Sequence, residues 1–137
     1  MKKTQIDDET LAKLIETARN ARTWAYTPYS HYNVGAALLT EGGRIYDGVN
    51  IENAAYPTGI CAERVAIFKA VSEGEREFNT IVVMTDNGGS PCGSCRQVMA
   101  EFGLTTRVLI VDTTGNVHMD TTVEGLLPKA FTPEDLL

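Results

Sequence analysis

The sequence of 137 residues has few cysteines, a deficit of basic residues and no long apolar run. Its three cysteines are an odd number, which makes a disulfide framework a poor interpretation and suits a reducing compartment. The net charge of −6 argues against a nucleic-acid backbone as a partner. No stretch approaches the ~20 apolar residues that cross a bilayer, and residues 1–13 lack the apolar core of a signal peptide. We therefore expect a soluble, cytoplasmic protein that binds neither nucleic acid nor membrane.

The remaining composition is ordinary for a globular chain, and the length suits a single domain over residues 1–137. The pattern of apolar residues predicts a first helix, a hairpin of two strands with glycines at its tip, and then strands that alternate with helices. The helices are predicted at 7–25, 61–73 and 92–102, and the strands at 33–39, 43–50, 78–86, 107–112 and 117–121. This order predicts an α/β fold in which a mixed sheet is covered by helices on both faces.

The helix predicted at 61–73 carries groups in its first turn that packing alone does not require. Its apolar face is predicted to include Val65 and Phe68, at helical spacing, with Ile67 and Val71 as further candidates. Next to that face stand a thiol, a carboxylate and a guanidinium, those of Cys61, Glu63 and Arg64. A helix that only packed against a sheet would not need all three, so the first turn is a candidate functional site.

All three cysteines lie at the starts of predicted helices, Cys61 at one and the C-x-x-C pair Cys92 and Cys95 at the other. Thiolates are good zinc ligands, and a helix N-terminus lowers the pKa of a thiol. If the two helices follow adjacent strands, their N-termini can converge on one ion. Three thiolates leave a fourth position for water, as in catalytic zinc sites, whereas a structural site would need His31 or His118 as well. The alternative is three small buried hydrophobic residues without a metal.

Three charged residues beside these cysteines fit the chemistry of a metal site. Glu63 would lie near the metal without binding it, where a carboxylate can move protons between water and a substrate. The alternative for Glu63 is an acid that interacts with the helix dipole. Arg64 and Arg96 each follow one of these functional residues directly, and a guanidinium there can donate to thiolate sulfur and offset its charge. The alternative for both arginines is a solvated surface position.

These motifs resemble the zinc-dependent cytidine deaminases of the small homotetrameric pyrimidine-salvage type. Four segments carry the resemblance, which are PYSHYNVGAALL, NIENAAYPTGICAER, PCGSCRQVMAEF and LLPKAFTPEDL. The resemblance covers nearly the whole chain. It implies a three-layer α/β/α cytidine-deaminase-like fold with about five strands, one Zn²⁺ per chain held by Cys61, Cys92 and Cys95, and a homotetramer with active sites shared between subunits.

The reaction that the resemblance implies is the hydrolytic deamination of cytidine and deoxycytidine to uridine and deoxyuridine, with release of ammonia. Zinc-bound hydroxide attacks C4 of the cytosine ring in these enzymes. Glu63 would protonate N3 and then pass a proton to the departing amine. The partner is thus expected to be a small nucleoside substrate.

The resemblance also assigns six substrate-binding residues, which are Tyr32, Asn50, Glu52, Ala54, Tyr56 and Phe131. Asn50 and Glu52 match residues that hydrogen-bond the ribose, and the backbone at Ala54 lines the base pocket. Tyr32 stands where the family has a base-stacking phenylalanine. Tyr56 and Phe131 match aromatic residues at the boundary with a neighbouring subunit, where the phenylalanine enters the neighbour's site.

Two alternative functions are compatible with the same motifs. A deaminase of a cytosine-nucleoside antibiotic, of the blasticidin S type, shares the zinc and glutamate motifs but resembles this chain less in the substrate loop NIENAAYP. A non-enzymatic module with a structural zinc would need a fourth protein ligand, and His31 and His118 are the two imidazoles that could supply it.

Overall fold

The computed structural model describes residues 5–137, so residues 1–4, where the stretch searched for a targeting signal begins, lie outside the described part of the chain. The elements are α1 (Asp8–Arg22), β1 (Gly35–Thr40), β2 (Ile45–Val49), α2 (Ala62–Ser72), β3 (Phe78–Thr85), α3 (Gly93–Glu101), β4 (Arg107–Asp112), β5 (Val117–Thr122) and α4 (Val123–Leu126). Short 3₁₀ turns lie at Tyr56–Thr58 and Pro133–Asp135. None of the helices that these residues form is long and apolar enough to cross a membrane.

The five strands form one mixed sheet in the order β2-β1-β3-β4-β5. Strands β3 and β4 pair in parallel and are joined through α3, while the other three pairs are antiparallel. The first strands form the hairpin indicated by the glycines between them. The prediction of a mixed sheet of about five strands in an α/β fold is confirmed.

Alternate residues of the central strands face opposite helical layers, as the two-residue period of a strand requires. Leu38 and Ile110 belong to a core cluster that also holds buried residues of α2 and α3. Leu39 and Leu109 belong to a second cluster, together with Leu14 of α1. The three central strands β1, β3 and β4 are buried along nearly their whole length, because helices cover both faces of the middle of the sheet.

The buried face of α2 differs from the predicted one. Phe68 is 44% exposed and Val65 is half-buried, whereas Ala66, Ile67 and Ala70 are buried against the sheet. Of the four predicted residues, Ile67 is buried and Val71 is half-buried, whereas the prediction is wrong for Phe68, because the spacing gave weight to the large side chains. The helix instead turns its alanines towards the strands, since these small side chains allow a close approach.

Gly48 on β2 is the point at which this approach is closest. A Cβ at Gly48 would lie 2.3 Å from the carbonyl oxygen of Ala62 and 2.6 Å from the backbone nitrogen of Ala66. We expect Gly48→Ala to lower the free energy of unfolding by about 1–3 kcal/mol, because backbone atoms of α2 would have to move. Urea unfolding measures this, with Gly42→Ala as the matched control, since a Cβ there meets only ordinary contacts. Equal stability of the two variants would contradict the prediction.

Candidate active site

The three cysteines meet where α2 and α3 begin. Cys61 is the N-cap of α2, Cys92 is the N-cap of α3, and Cys95 lies in the first turn of α3. The strands before these helices, β2 and β3, are both neighbours of β1 and not of each other. The helices nevertheless lie on the same face of the sheet, where both contribute to one core cluster, and their N-termini converge.

The distances between the sulfur atoms fit a single zinc ion. The Sγ atoms of Cys61 and Cys92 are 3.8 Å apart and those of Cys92 and Cys95 are 3.4 Å apart. All three Sγ atoms lie within 4.8 Å of one another. Zn–S bonds of about 2.3 Å in a tetrahedral site place two sulfurs roughly 3.8 Å apart. The donor set therefore suits zinc and leaves one position without a protein ligand.

Neither candidate histidine joins the cysteines. Within residues 5–137, the group of potential metal ligands at this site consists of the three cysteines alone. The imidazole Nε2 of His118 lies 2.8 Å from Oδ2 of Asp112. His31 is exposed, in a left-handed backbone conformation. The fourth ligand that a structural zinc module needs is thus missing from the part of the chain described.

Cys61 and Cys95 have pKa values that are shifted in opposite directions. The pKa of Cys61 is lowered to about 5, chiefly through hydrogen bonding with the Cys95 thiol and further through Arg64 and Cys92. The pKa of Cys95 is raised, chiefly by the same interaction with Cys61 and also by burial. Cys61 therefore ionises more readily than Cys95, and a bound cation would favour the thiolate form of its cysteine ligands.

Glu63 lies in the first turn of α2 and is only 4% exposed. Burial raises the pKa of Glu63 to about 7, the charge of Cys61 adds to the rise, and a hydrogen bond from Cys95 opposes it. A carboxyl group that has its pKa near neutrality can both accept and donate a proton at neutral pH. Its burial also distinguishes Glu63 from an acid that merely interacts with the helix dipole at the surface.

Arg64 lies beside Cys61, and its Nη2 donates a hydrogen bond to the Cys61 Sγ at 3.5 Å. This hydrogen bond is the main reason why the pKa of Arg64 is raised. Its Nε–H is buried and finds no acceptor within residues 5–137. A cation with a spare donor at this position complements a cluster of thiolates, which carry more negative charge than one zinc ion neutralises.

A cavity of about 510 Å³ adjoins the sulfur cluster, because Cys61 and Arg64 are among its lining residues. The other lining residues are Tyr29, Ser30, Asn50, Ile51, Glu52, Asn53, Tyr56, Gly59 and Ile60. Of the residues that the sequence assigned to the substrate, Asn50, Glu52 and Tyr56 line this cavity. A cavity of this volume fits a ligand of nucleoside size.

Glu52 and Asn50 already hold the backbone around the cavity. The Glu52 carboxylate accepts hydrogen bonds from the backbone N–H groups of Tyr29 and Ser30, at 3.0 and 3.1 Å, and from the Ser30 hydroxyl. The hydroxyl bond is the main cause of the lowered pKa of Glu52. Asn50 accepts from the Val34 N–H and donates to the Tyr32 carbonyl oxygen. The sequence did not predict Tyr29 and Ser30 as part of the site, although both stand in the segment PYSHY that carried the resemblance.

The other three assigned residues lie outside the lining of this cavity. The Tyr32 hydroxyl donates to Oδ1 of Asn87 at 2.8 Å, so its ring lies against the loop that precedes Cys92. Ala54 is exposed. Phe131 is 56% exposed, and its carbonyl oxygen accepts a hydrogen bond from Gln97 on α3 at 2.8 Å.

The Arg96 guanidinium hydrogen-bonds to oxygen atoms of the chain and not to a cysteine sulfur. Its Nε donates to the Pro91 carbonyl oxygen, its Nη1 to the Leu126 carbonyl oxygen and its Nη2 to the Ser90 hydroxyl, at 2.8, 2.8 and 2.6 Å. Both interpretations offered by the sequence are therefore replaced by a third, in which the guanidinium joins two segments of the chain, Ser90–Pro91 and the end of α4 at Leu126.

The fold and the site together define a zinc-binding α/β enzyme with three cysteine ligands and a buried carboxyl group beside them. The family model described as "Cytidine and deoxycytidylate deaminase zinc-binding region" matches residues 8–111. The chain belongs to this family of zinc-dependent deaminases.

Three similar proteins illustrate how far the likeness extends. A cytidine deaminase of Sporosarcina psychrophila is 53% identical over 90% of this chain and 93% of its own length. The crystal structure of a cytidine deaminase from Burkholderia pseudomallei matches with a TM-score of 0.84 at 44% identity, over 92% of this chain and all of the other. A blasticidin-S deaminase of Bacillus cereus is 34% identical over 96% of this chain and 99% of its own length.

Proposed function

We propose that this protein converts cytidine and deoxycytidine into uridine and deoxyuridine by hydrolytic deamination with release of ammonia. The observation that carries the proposal is the convergence of three thiols and the buried Glu63 at the starts of two helices, beside a cavity of nucleoside size. The identity to cytidine deaminases from several organisms supports the choice of substrate.

Cys61, Cys92 and Cys95 are proposed to hold the zinc ion. When bound, the ion supplies a Lewis acid that lowers the pKa of a water molecule and so provides a nucleophile at neutral pH. Three protein ligands leave it the open position that this chemistry requires. Arg64 draws negative charge from the Cys61 sulfur, which keeps the thiolates from weakening that Lewis acid.

Glu63 is proposed to carry the protons of the reaction. Its carboxylate takes a proton from the attacking water and delivers it to N3 of the cytosine ring. It then takes the remaining proton from the hydroxyl now bonded to C4 and passes it to the exocyclic amine, which leaves as ammonia while C4 keeps the oxygen as a carbonyl. The environment that raises the pKa of Glu63 to about 7 supports this double role, because both protonation states are accessible at neutral pH.

The proposed sugar contacts come from the two polar residues that line the cavity. A carboxylate offers about four acceptor sites, and Glu52 uses three of them on Tyr29 and Ser30. Asn50 likewise keeps one N–H and one lone pair beyond its bonds to Tyr32 and Val34. Each can thus bind a ribose hydroxyl without giving up the bonds that hold it in place.

The proposed base contacts are the Tyr32 ring and the backbone at Ala54, which lie outside the lining of the cavity and are assigned from the resemblance. The tyrosine keeps an aromatic face for stacking, and its bond to Asn87 fixes the direction of the ring. Asn87 precedes the C-x-x-C pair by five residues, so this bond also ties the ring to the segment that leads to Cys92.

The decisive assay measures ammonia release by the zinc-loaded protein from cytidine, deoxycytidine, cytosine and blasticidin S, with zinc content determined on the same sample. Release from both nucleosides with one zinc per chain is the expected result. Activity on blasticidin S alone would favour the antibiotic-deaminase alternative, which the 34% identical relative represents. A protein that holds zinc and acts on none of the four compounds would overturn the proposal.

The chain is further proposed to act as one cytoplasmic domain over residues 1–137 that assembles into a homotetramer with shared active sites. Tyr56 and Phe131 are both exposed aromatic residues within residues 5–137, where Tyr56 is 75% and Phe131 56% exposed. Exposed aromatic side chains are enriched at surfaces that a partner covers, and Tyr56 also lines the cavity. The three free cysteines suit a reducing compartment.

Mixing two impaired variants tests whether the sites are shared. We expect Phe131→Ala to raise KM by about 10-fold, because an aromatic contact with the substrate site is lost. Glu63→Gln chains keep Phe131 but lack the proton carrier. If Phe131 acts on a neighbouring subunit, mixed oligomers of the two variants contain sites with both groups intact and regain turnover at the wild-type KM.

The control mixes Phe131→Ala chains with chains that carry both substitutions, in which no site can recover both groups. A mixture of the single variants that keeps the raised KM of Phe131→Ala would exclude the exchange of Phe131 between subunits. Sedimentation of the same samples reports the size of the oligomer.

A further inference from the structure

The two residues directly after Cys95 both bind the C-terminal part of the chain. Arg96 Nη1 donates to the carbonyl oxygen of Leu126, at the end of α4, at 2.8 Å. Gln97 Nε2 donates to the carbonyl oxygen of Phe131 at the same distance. The helix that carries two of the cysteines thus holds the segment Leu126–Phe131 at both of its ends.

Arg96 also reaches the chain just before Cys92. Its Nε donates to the Pro91 carbonyl oxygen at 2.8 Å and its Nη2 to the Ser90 hydroxyl at 2.6 Å. A planar guanidinium with five donors in fixed directions is suited to such simultaneous contacts, and a lysine ammonium could not make all three. One side chain therefore joins the approach to Cys92 with the end of α4.

The segment between the two anchors has a backbone conformation that needs external support. Lys129 has a φ of 56°, in the left-handed region that L-residues other than glycine seldom adopt. Such conformations persist when the surrounding structure fixes them. Here the fixing contacts on either side, at Leu126 and Phe131, both come from α3.

We propose that Arg96 and Gln97 are positioning residues that couple the metal-binding end of α3 to the C-terminal segment Leu126–Phe131. The inference rests on the proposed function for the identity of the metal and for the role of Phe131. Binding of zinc by Cys92 and Cys95 fixes the residues that Arg96 contacts, and an ordered C-terminal segment in turn supports the cysteines. Such coupling is reciprocal, because each event changes the free energy of the other by the same amount.

The first test compares zinc affinity in two matched arginine variants. Arg96→Met is expected to weaken zinc binding by about 10- to 100-fold, as loss of a residue that supports metal ligands does. Arg107→Met is the control, since the Arg107 side chain makes two hydrogen bonds to Asp120, which connect β4 to β5. Competition against a chelator with a zinc-sensitive dye measures both affinities. Wild-type affinity in Arg96→Met would overturn the proposal.

The second test follows hydrogen exchange in residues 127–137 of the full chain with and without zinc. The amides of Leu127, Thr132 and Leu136 are hydrogen-bonded and report on the order of this segment. Removal of zinc is expected to speed their exchange by about 2- to 10-fold, the effect of one hydrogen bond. Zinc-loaded Gln97→Met should exchange at the faster rate, while amides of β4 provide the reference.

If the hydrogen-exchange rates of residues 127–137 change neither on removal of zinc nor in Gln97→Met, the proposed coupling is overturned. Neither readout depends on turnover. A protein that failed to deaminate any nucleoside would refute the proposed function and leave both measurements interpretable.

Discussion

Glu63→Gln is expected to lower turnover by about 10²- to 10⁴-fold, the range of a lost general acid–base group, while the protein keeps its zinc. Glutamine has nearly the shape of glutamate and fits the same buried position, but its amide cannot take a proton from water or return it to the substrate. The measurement is the steady-state rate of ammonia release at saturating cytidine, with zinc content determined on each preparation.

The matched control for this variant is Glu9→Gln. Glu9 also lies in the first turn of a helix, α1, but it is exposed and far from the cysteines in sequence. The same chemical change there should leave the rate at the wild-type value. Substantial turnover by zinc-replete Glu63→Gln protein would remove Glu63 from the proton-carrying role and would reopen the choice of general base.

The sequence predicted the parts of the fold that depend on local chemistry. The helix predicted at 7–25 begins as its local sequence indicates, because Asp7 accepts a hydrogen bond from the Thr10 N–H and caps α1. A similar local cap starts the 3₁₀ turn Pro133–Asp135, where the Thr132 N–H donates to Oδ2 of Asp135. Such signals act over three or four residues and need no tertiary contact to operate.

Features set by tertiary packing were harder to predict. The apolar pattern of α2 predicted burial of Val65 and Phe68. The structure instead buries the alanines of this helix, because α2 lies close to Gly48 on β2. The partners of Arg96 lie on segments up to 30 residues away, so its hydrogen bonds could not be inferred from its place after Cys95. The cysteine cluster, by contrast, could be predicted from the sequence. All three cysteines lie at the N-termini of α2 and α3, and these two N-termini converge.

The substrate residues illustrate an intermediate case. The resemblance placed Asn50 and Glu52 in the site, and both line the cavity. Their bonds to the backbone of Tyr29, Ser30 and Tyr32 could not be foreseen, because those contacts form only when the loop after α1 packs on the end of β2. The same side chains thus shape the cavity wall and remain available to a ligand.

Cys95→Ser is expected to remove zinc and turnover together. A serine hydroxyl is not ionised at neutral pH and is a poor ligand for zinc, so the site would keep two thiolates of its three. The wild-type protein should gain thermal stability when zinc is added, since a ligand that binds the folded state raises its stability by mass action. In Cys95→Ser the melting temperature should no longer respond to zinc, and metal analysis should find little zinc in the purified protein.

Ala100→Ser separates the loss of a metal ligand from the simple introduction of a hydroxyl into α3. Ala100 is buried on the same helix as Cys95, five residues further along, and its serine can bond back to a carbonyl of the preceding turn. This variant should retain zinc, its thermal response and its turnover. A Cys95→Ser protein that still bound one zinc per chain would mean that the buried thiol is a core residue and that the ion depends on Cys61 and Cys92 with a ligand from outside this cluster.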